Sequence, residues 1–199
     1  MLTPTNLSGE GVNLEPLSSS HFEKLCAMGS DEDIWRWMPT GAGTTEQIMA
    51  WLEQALEEQR KGTALPWAIV DRSSGQLVGT TRFGNIDMSH RRVEIGWTWI
   101  ARPWQRTPVN TETKYLMLRH AFESLNCIRV EFKTDALNER SRNALLRIGA
   151  KEEGTFRQHI ITSSGRLRDT VYFSIIDSEW PDAKARLEAK LVRASEHRT

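Results

Sequence analysis

The residues with the most chemistry to offer lie between Glu94 and His159. A polar, proline-punctuated loop, Ala101–Asn110, carries Gln105, Arg106, Thr107 and Asn110, and a helical pattern opens behind it near Thr111. Side-chain donors at the start of a helix, where backbone N–H groups are unpaired, suit a phosphate. Pro108 offers no N–H and a fixed φ, so part of the anion's charge has to be met by the Arg106, Thr107, Asn110 and Thr111 side chains. Glu94 and His159 are the candidates for moving a proton. A carboxylate titrating near ~4.3 needs desolvation or a relay water to deprotonate an ammonium, whereas imidazole titrates near ~6.5 unaided. Asn138 and Ser141, three residues apart, fit an N-cap and the first turn of a helix. Cys26 and Cys127 have no activating neighbour in sequence, and two isolated cysteines suggest neither a disulfide framework nor a metal site.

The elements that must position these groups are legible as periodicities. Val93, Ile95, Trp97 and Trp99 alternate with Glu94, Gly96 and Thr98, which predicts a strand with Glu94 on the face opposite the apolar row. Tyr115, Leu118, Ala121, Phe122 and Leu125 share one stripe of a predicted helix, Thr111–Leu125. Asn110 or Thr111 can cap it, and Glu112 suits the positive end of its dipole. Ile128, Val130 and Phe132 then alternate with Arg129, Glu131 and Lys133, a second strand. Strand, helix, strand in this order is a βαβ unit, and its first turn is the loop described above.

The sequence of this unit, with EIGW before the loop, WQR at its start, AFESL, RVEFKTDALNERS and LLRIGAKEEG, resembles the acetyl-CoA-binding core of the GNAT superfamily of N-acyltransferases. It is most similar to the branch that includes the ribosomal-protein alanine N-acetyltransferases. The likeness runs back to about Leu14 and forward through Gly165, Asp169, Tyr172 and SEW to about Trp180. One departure stands out: Pro108 and Asn110 replace the small residues of the family's phosphate loop. The resemblance implies an α+β, single-domain fold with a mixed, mostly antiparallel central sheet of about six or seven strands flanked by helices. It implies acetyl-CoA as cosubstrate, with no metal, and direct transfer to a primary amine on a small molecule or a protein N-terminus. The alternative is a non-catalytic CoA-binding protein of the same fold, with an altered phosphate loop. On this likeness Trp99 and Ile100 contact pantetheine through their main chain, and Gln105, Arg106, Thr107, Val109, Asn110 and Thr111 meet the pyrophosphate. Asn138 lies by the pantetheine arm, and Ser141 serves the departing sulfur. Glu94 or His159 acts as base, while Trp35, Trp37 and Tyr172 line the acceptor pocket. Structural readings stand beside these. Glu94 can be paired with Arg92, Arg129 or another cation, Asn138 and Ser141 can serve only the helix, Trp35 and Trp37 can cover core, and Tyr172 can be a core phenol.

The rest of the chain completes such a fold. Val12–Pro16 reads as an edge strand, Ser18–Ser20 as the cap of a helix from His21, and Thr45 as the start of another helix. Trp67–Asp71 and Leu77–Phe83 form a hairpin across Ser73-Ser74-Gly75, and Phe156–Ile161 with Thr170–Ile176 form a second across Ser163-Ser164-Gly165. Asn138–Ile148 is a short helix with Gly149 at its C-terminal cap. Residues 1–181 make one domain, and 182–199 a charged, Ala-rich surface tail, helical and prone to fraying. His90 and His120 are expected on the surface. With 26 basic and 26 acidic residues in 199, the formal charge is zero, so no nucleic-acid or membrane footprint is indicated. No apolar run approaches a membrane span, which points to a cytoplasmic protein. The partners expected are the amine acceptor and, in principle, a second copy in a homodimer.

Overall fold

The computed structural model describes residues 2–40 and 43–196, so Gly41 and Ala42 of the tryptophan-bearing loop and 197–199 of the predicted tail lie outside the described residues. One eight-stranded sheet runs in the order β1-β2-β3-β4-β5-β6-β8-β7. Its strands are β1 (Leu7–Ser8), β2 (Val12–Pro16), β3 (Leu65–Asp71), β4 (Leu77–Asp87), β5 (Arg92–Ile100), β6 (Arg129–Asp135), β7 (Lys151–Ile161) and β8 (Leu167–Ile176). The architecture is the α+β one expected, with one strand more than the upper count, since two-residue β1 carries no periodic signal. Six helices flank the sheet: α1 (Phe22–Gly29), α2 (Glu32–Trp35), α3 (Thr45–Arg60), α4 (Val109–Arg119), α5 (Glu139–Ile148) and α6 (Trp180–Glu196). None of the described helices is long and apolar enough to cross a membrane.

Every pairing is antiparallel except β5 with β6, the two strands joined through α4. That parallel ladder holds Arg92–Glu94 against Arg129–Glu131 and stops there. Each face of the sheet has its own core. Val93, Ile95, Val130, Phe132, Val171 and Phe173 pack with α4 and α6 on one face. Trp99, Ala68 and Leu77 pack with α1 and α3 on the other.

The alternation predicted for β5 breaks at a bulge. Thr80 lies opposite Trp99 and Arg82 opposite Gly96, so β5 carries one residue more than β4 over this stretch. Trp97 takes up the excess with φ 49°. An extra residue shifts the parity of every side chain after it. Trp97 and Trp99 therefore leave the face of Val93 and Ile95 and share that of Glu94: Trp97 stacks under Arg82, which is paired with Glu58 of α3. Gly84 fits beneath the Trp97 indole, where a Cβ would come within 2.3 Å of the ring.

Other expectations are corrected by packing. The central helix starts at Val109, two residues before the expected Thr111, and passes at His120–Ser124 into a π-helical turn closed by Leu125 N–H donating to His120 O at 3.0 Å. His120 is not a surface residue; its ring stacks on Phe83 at 6.2 Å, and burial lowers its pKa. Over its described residues the C-terminal helix packs against the core instead of lying on the surface. Trp180 stacks on Phe122 at 5.4 Å, and Ala183 and Leu187 are buried in the main core. β7 forms the far edge of the sheet and is exposed along nearly its whole length.

Lys114 is the unusual residue of α4. It is 7% exposed, and its Nζ donates to Thr98 Oγ1 at 2.8 Å, with no described carboxylate beside it. Burial lowers its pKa to about 7, from 10.5. Between those values the unfolded chain binds a proton that the folded chain does not, so stability should rise with pH over this window, by up to ~1.4 kcal/mol per unit. Lys114→Met is expected to abolish that rise and to be the more stable protein at and below pH 7. Urea midpoints at pH 7, 8 and 9 decide it, and parallel trends in the two proteins would contradict the assignment.

Candidate active site

Beyond Glu94, β5 and β6 part, each held by its outer neighbour. β5 stays on β4 through Ile100, and β6 stays on β8 through Asp135. The inner edge of β5 is thus left without a strand partner. Ala101 N–H donates back to Val78 O, so the groups of Ile100 point the other way, into the gap. Gln105 closes part of it, its Nε2 donating to Ile100 O at 2.8 Å. Arg140, in the first turn of α5, donates to Gln105 Oε1 at 2.9 Å, so the N-termini of α4 and α5 face one cleft.

The loop from Ala101 to Pro108 delivers the chain to α4 with Arg106 in a left-handed conformation, φ 63°, its side chain exposed. Thr107 Oγ1 donates to Trp104 O at 2.6 Å and accepts weakly from Val109 N–H at 3.4 Å. Pro108 is itself the N-cap, with φ −63° and ψ −15°, and no side chain caps the helix. The first three helical N–H groups therefore belong to Val109, Asn110 and Thr111, and the missing N–H of proline falls outside that set. Glu112, which sequence suggests for the helix dipole, is turned to another task. It is buried and accepts from Glu10 N–H at 2.5 Å and Gly11 N–H at 3.0 Å, tying the β1–β2 turn to α4.

On the β6 bank, Asn138 caps α5, its Oδ1 accepting from Ser141 N–H at 3.0 Å. Ser141 is half-buried, and no described residue bonds its hydroxyl. Glu94 is buried and paired: its Oε2 accepts from Asn85 Nδ2 at 2.6 Å and lies 2.7 Å from Lys133 Nζ. Burial alone would lower the Lys133 pKa, but the hydrogen bond and charge of Glu94 outweigh it and raise it. The Lys133 ammonium also sits 5.0 Å from the centre of the Tyr172 ring. Tyr172, Phe156 and His159 form one aromatic group, with Tyr172 4.5 Å from Phe156 and 5.8 Å from His159. His159 itself is exposed on β7.

The structure separates the two tryptophans. Trp35 is in the core packed by α1 and α3, 5% exposed, with Nε1 donating to Gly29 O at 2.7 Å and its ring 5.5 Å from that of Trp99. Trp37 is only half-buried and faces the β7–β8 hairpin, with Arg168 Nη1 donating to its carbonyl at 3.3 Å. Sequence reasoning missed the arginines of that hairpin and Lys114; RLRD at a hairpin reads as ordinary surface charge. Among the described residues no group of His, Cys, Asp and Glu is arranged to hold a metal ion. A shallow surface hollow beside Ser89–Arg92 and Arg129 lies at the opposite ends of β5 and β6 from the cleft.

A strand edge opened beside two helix N-termini fits the donor site expected of an acyltransferase, and the match to known sequences agrees. The profile of the acetyltransferase (GNAT) domain spans residues 12–151. The chain belongs to this family. It is 27% identical over 173 residues to the uncharacterized N-acetyltransferase YoaA of Bacillus subtilis, covering 85% of this chain and 96% of that one. A second B. subtilis protein, YdaF, named provisionally as a ribosomal N-acetyltransferase, is 34% identical over 110 residues, 55% of this chain and 59% of its own. A crystal structure from T. thermophilus, described as an acetyltransferase, superposes with a TM-score of 0.87 at 37% identity, covering 96% of this chain and 99% of that one. Sequence and structure together make the protein a GNAT N-acetyltransferase.

The capping geometry makes a direct prediction. Asn138→Ala removes the acceptor of Ser141 N–H and should cost about 0.5–2 kcal/mol of stability, while Asn138→Asp keeps it. Thermal melts of the two variants are the check. Equal losses would mean that the cap contributes nothing.

Proposed function

We propose that the protein transfers the acetyl group of acetyl-CoA directly to a primary amine, on a small molecule or a protein N-terminus. The observation that carries this reading is the unpaired inner edge of β5 facing two helix N-termini. Acetyl-CoA supplies the activated acyl group as a thioester; the rest is done by this chain. The β5 backbone near Trp99 and Ile100 binds pantetheine as an added strand, for which Gln105 must release the Ile100 carbonyl. The N–H groups of Asn110 and Thr111, with the Arg106 side chain, hold the pyrophosphate at the positive end of α4, joined by Val109 N–H and the Thr107 hydroxyl once Thr107 releases its bonds to Val109 and Trp104. Asn138 orients the arm while keeping its cap, and the free Ser141 hydroxyl donates to the leaving sulfur.

The base is assigned to Glu94, acting through water. Its Oε2 is held by Lys133 and Asn85, which leaves Oε1, on the Gly96 side, to accept. His159 is the competing proton acceptor and meets the cleft through Tyr172. Trp37 and Tyr172 bound the acceptor side. No covalent intermediate is invoked: Cys127 is buried, with its thiol pKa raised by that burial, which makes it a poor nucleophile.

Acetyl-CoA should raise the melting temperature by several degrees at ~100-fold excess over Kd, and CoA-thiol release on a panel of amines should follow. No shift at millimolar acetyl-CoA would refute the proposal. Two variants divide the roles. Arg106→Ala should raise KM for acetyl-CoA about 10- to 150-fold with kcat little changed, because a phosphate contact is uniform binding. Ser141→Ala should instead lower kcat by about 10²–10³, and an unchanged kcat would confine Ser141 to the helix.

A further inference from the structure

The acceptor side of the cleft holds a concentration of positive charge that composition hides. Asp135, fully buried at the end of β6, accepts a short hydrogen bond from Arg166 Nη2, and Arg168 Nε approaches the same oxygen at 3.9 Å. Its other oxygen accepts from Leu137 N–H at 3.0 Å, so both carboxylate oxygens are engaged. Arg168 is 6% exposed, and its Nε has no hydrogen-bond partner. Burial, with Arg166 beside it, lowers its pKa against the opposing pull of Asp135 and Glu94. The guanidinium of Arg36 lies 5.2 Å from the Trp37 ring centre and that of Arg166 6.0 Å. The neighbouring Glu94 is already paired with Lys133, and Asp169 accepts from Gln158 N–H. Two guanidiniums thus share one carboxylate, and a third lies beside Trp37, in a chain whose formal charge is zero.

Arg166 alone ties the hairpin to the end of β6, whereas Arg168, which spends Nη1 on the Trp37 carbonyl and leaves Nε unused, is a second buried cation that is costly to keep. Trp37 cannot serve a cationic acceptor well either, since guanidiniums already lie over its ring. We infer that Arg166 and Arg168, with Arg36 and Trp37 at the rim, form a carboxylate-binding subsite, so that the acceptor is an amine that also carries a carboxylate. This rests on the amine-acetylation reading above. The carboxylate belongs either to a small amino acid or to an acidic residue just behind a protein N-terminus. Asp135, three residues before the Asn138 cap, holds the subsite on the β6 bank of the cleft.

The test uses acceptors that differ only in carboxylate against carboxamide: 4-aminobutyrate with 4-aminobutanamide, and the peptide amides Ser-Glu-Ala with Ser-Gln-Ala. The acid member should be favoured about 10- to 150-fold in kcat/KM in at least one pair, and the responding pair identifies the source. Arg166→Gln, at a half-exposed position, should draw that ratio towards one. Arg168→Lys repeats the test with charge retained but the planar fork lost. Equal kcat/KM within both pairs in an active enzyme would overturn the subsite and leave acetyl transfer standing. Should no acceptor turn over, succinate against succinamide titrated by tryptophan fluorescence still decides. A saturable signal with succinate alone, lost in Trp37→Phe and weakened in Arg166→Gln, supports the subsite; no such signal overturns it.

Discussion

β5 and β6 are hydrogen-bonded over three residues each and then separate, although both strands continue. Backbone N–H and C=O groups must find partners, and two adjacent strands ordinarily supply them. Here outer pairing wins. β4 holds β5 to Ile100 and β8 holds β6 to Asp135, and the bulge at Trp97 bends β5 locally. The gap that results cannot close without breaking one of those ladders. The Gln105 amide on the Ile100 carbonyl is what the protein substitutes for a missing strand. A ligand with alternating amides meets the same need better, and each helix that follows a parting strand starts at the mouth of the gap.

Charge is distributed by the same geometry. On the face away from α4, β6 and β8 present Glu131, Lys133, Asp135, Arg168 and Tyr172, and among the described residues the buried apolar cluster of that face includes none from these two strands. These groups bury one another instead. Such a network specifies more than it stabilises, since each ion loses water, but removing one partner strands the other in low dielectric. Lys114, on the opposite face, is the contrasting case: a lysine surrounded by core, relieved by a threonine hydroxyl, its pKa lowered to about 7 by burial.

Much of this was legible in the sequence, and the failures share a cause. The βαβ unit, both hairpins, the Asn138 cap and Gly149, which sits at φ 99°, all rest on signals local to a few residues. A period of two also located β5, but not the parity change at its bulge, because Trp97 is a bulky residue at a positive φ that no local preference announces. The core role of Trp35 depends on Trp51 and Trp99, distant in sequence, and that of His120 on Phe83 and Trp67. Likewise the arginines of RLRD acquire meaning only opposite Asp135 and Trp37, which the fold alone brings near.

Pro108 shows how position decides the consequence of a residue. In a phosphate loop that depends on its backbone N–H groups, a proline would delete a donor. At the N-cap it deletes nothing the helix offers, because the donors without an intrahelical partner begin one residue later, at Val109. Its φ of −63° also suits the turn into the helix, so it stiffens the entry to the first turn. What the chain gives up there is conformational freedom, and Arg106 absorbs the strain with its positive φ while its side chain stays exposed at the loop. The first turn of α4 thus keeps all its N–H groups without glycine in the loop, because the helix begins where Pro108 places it.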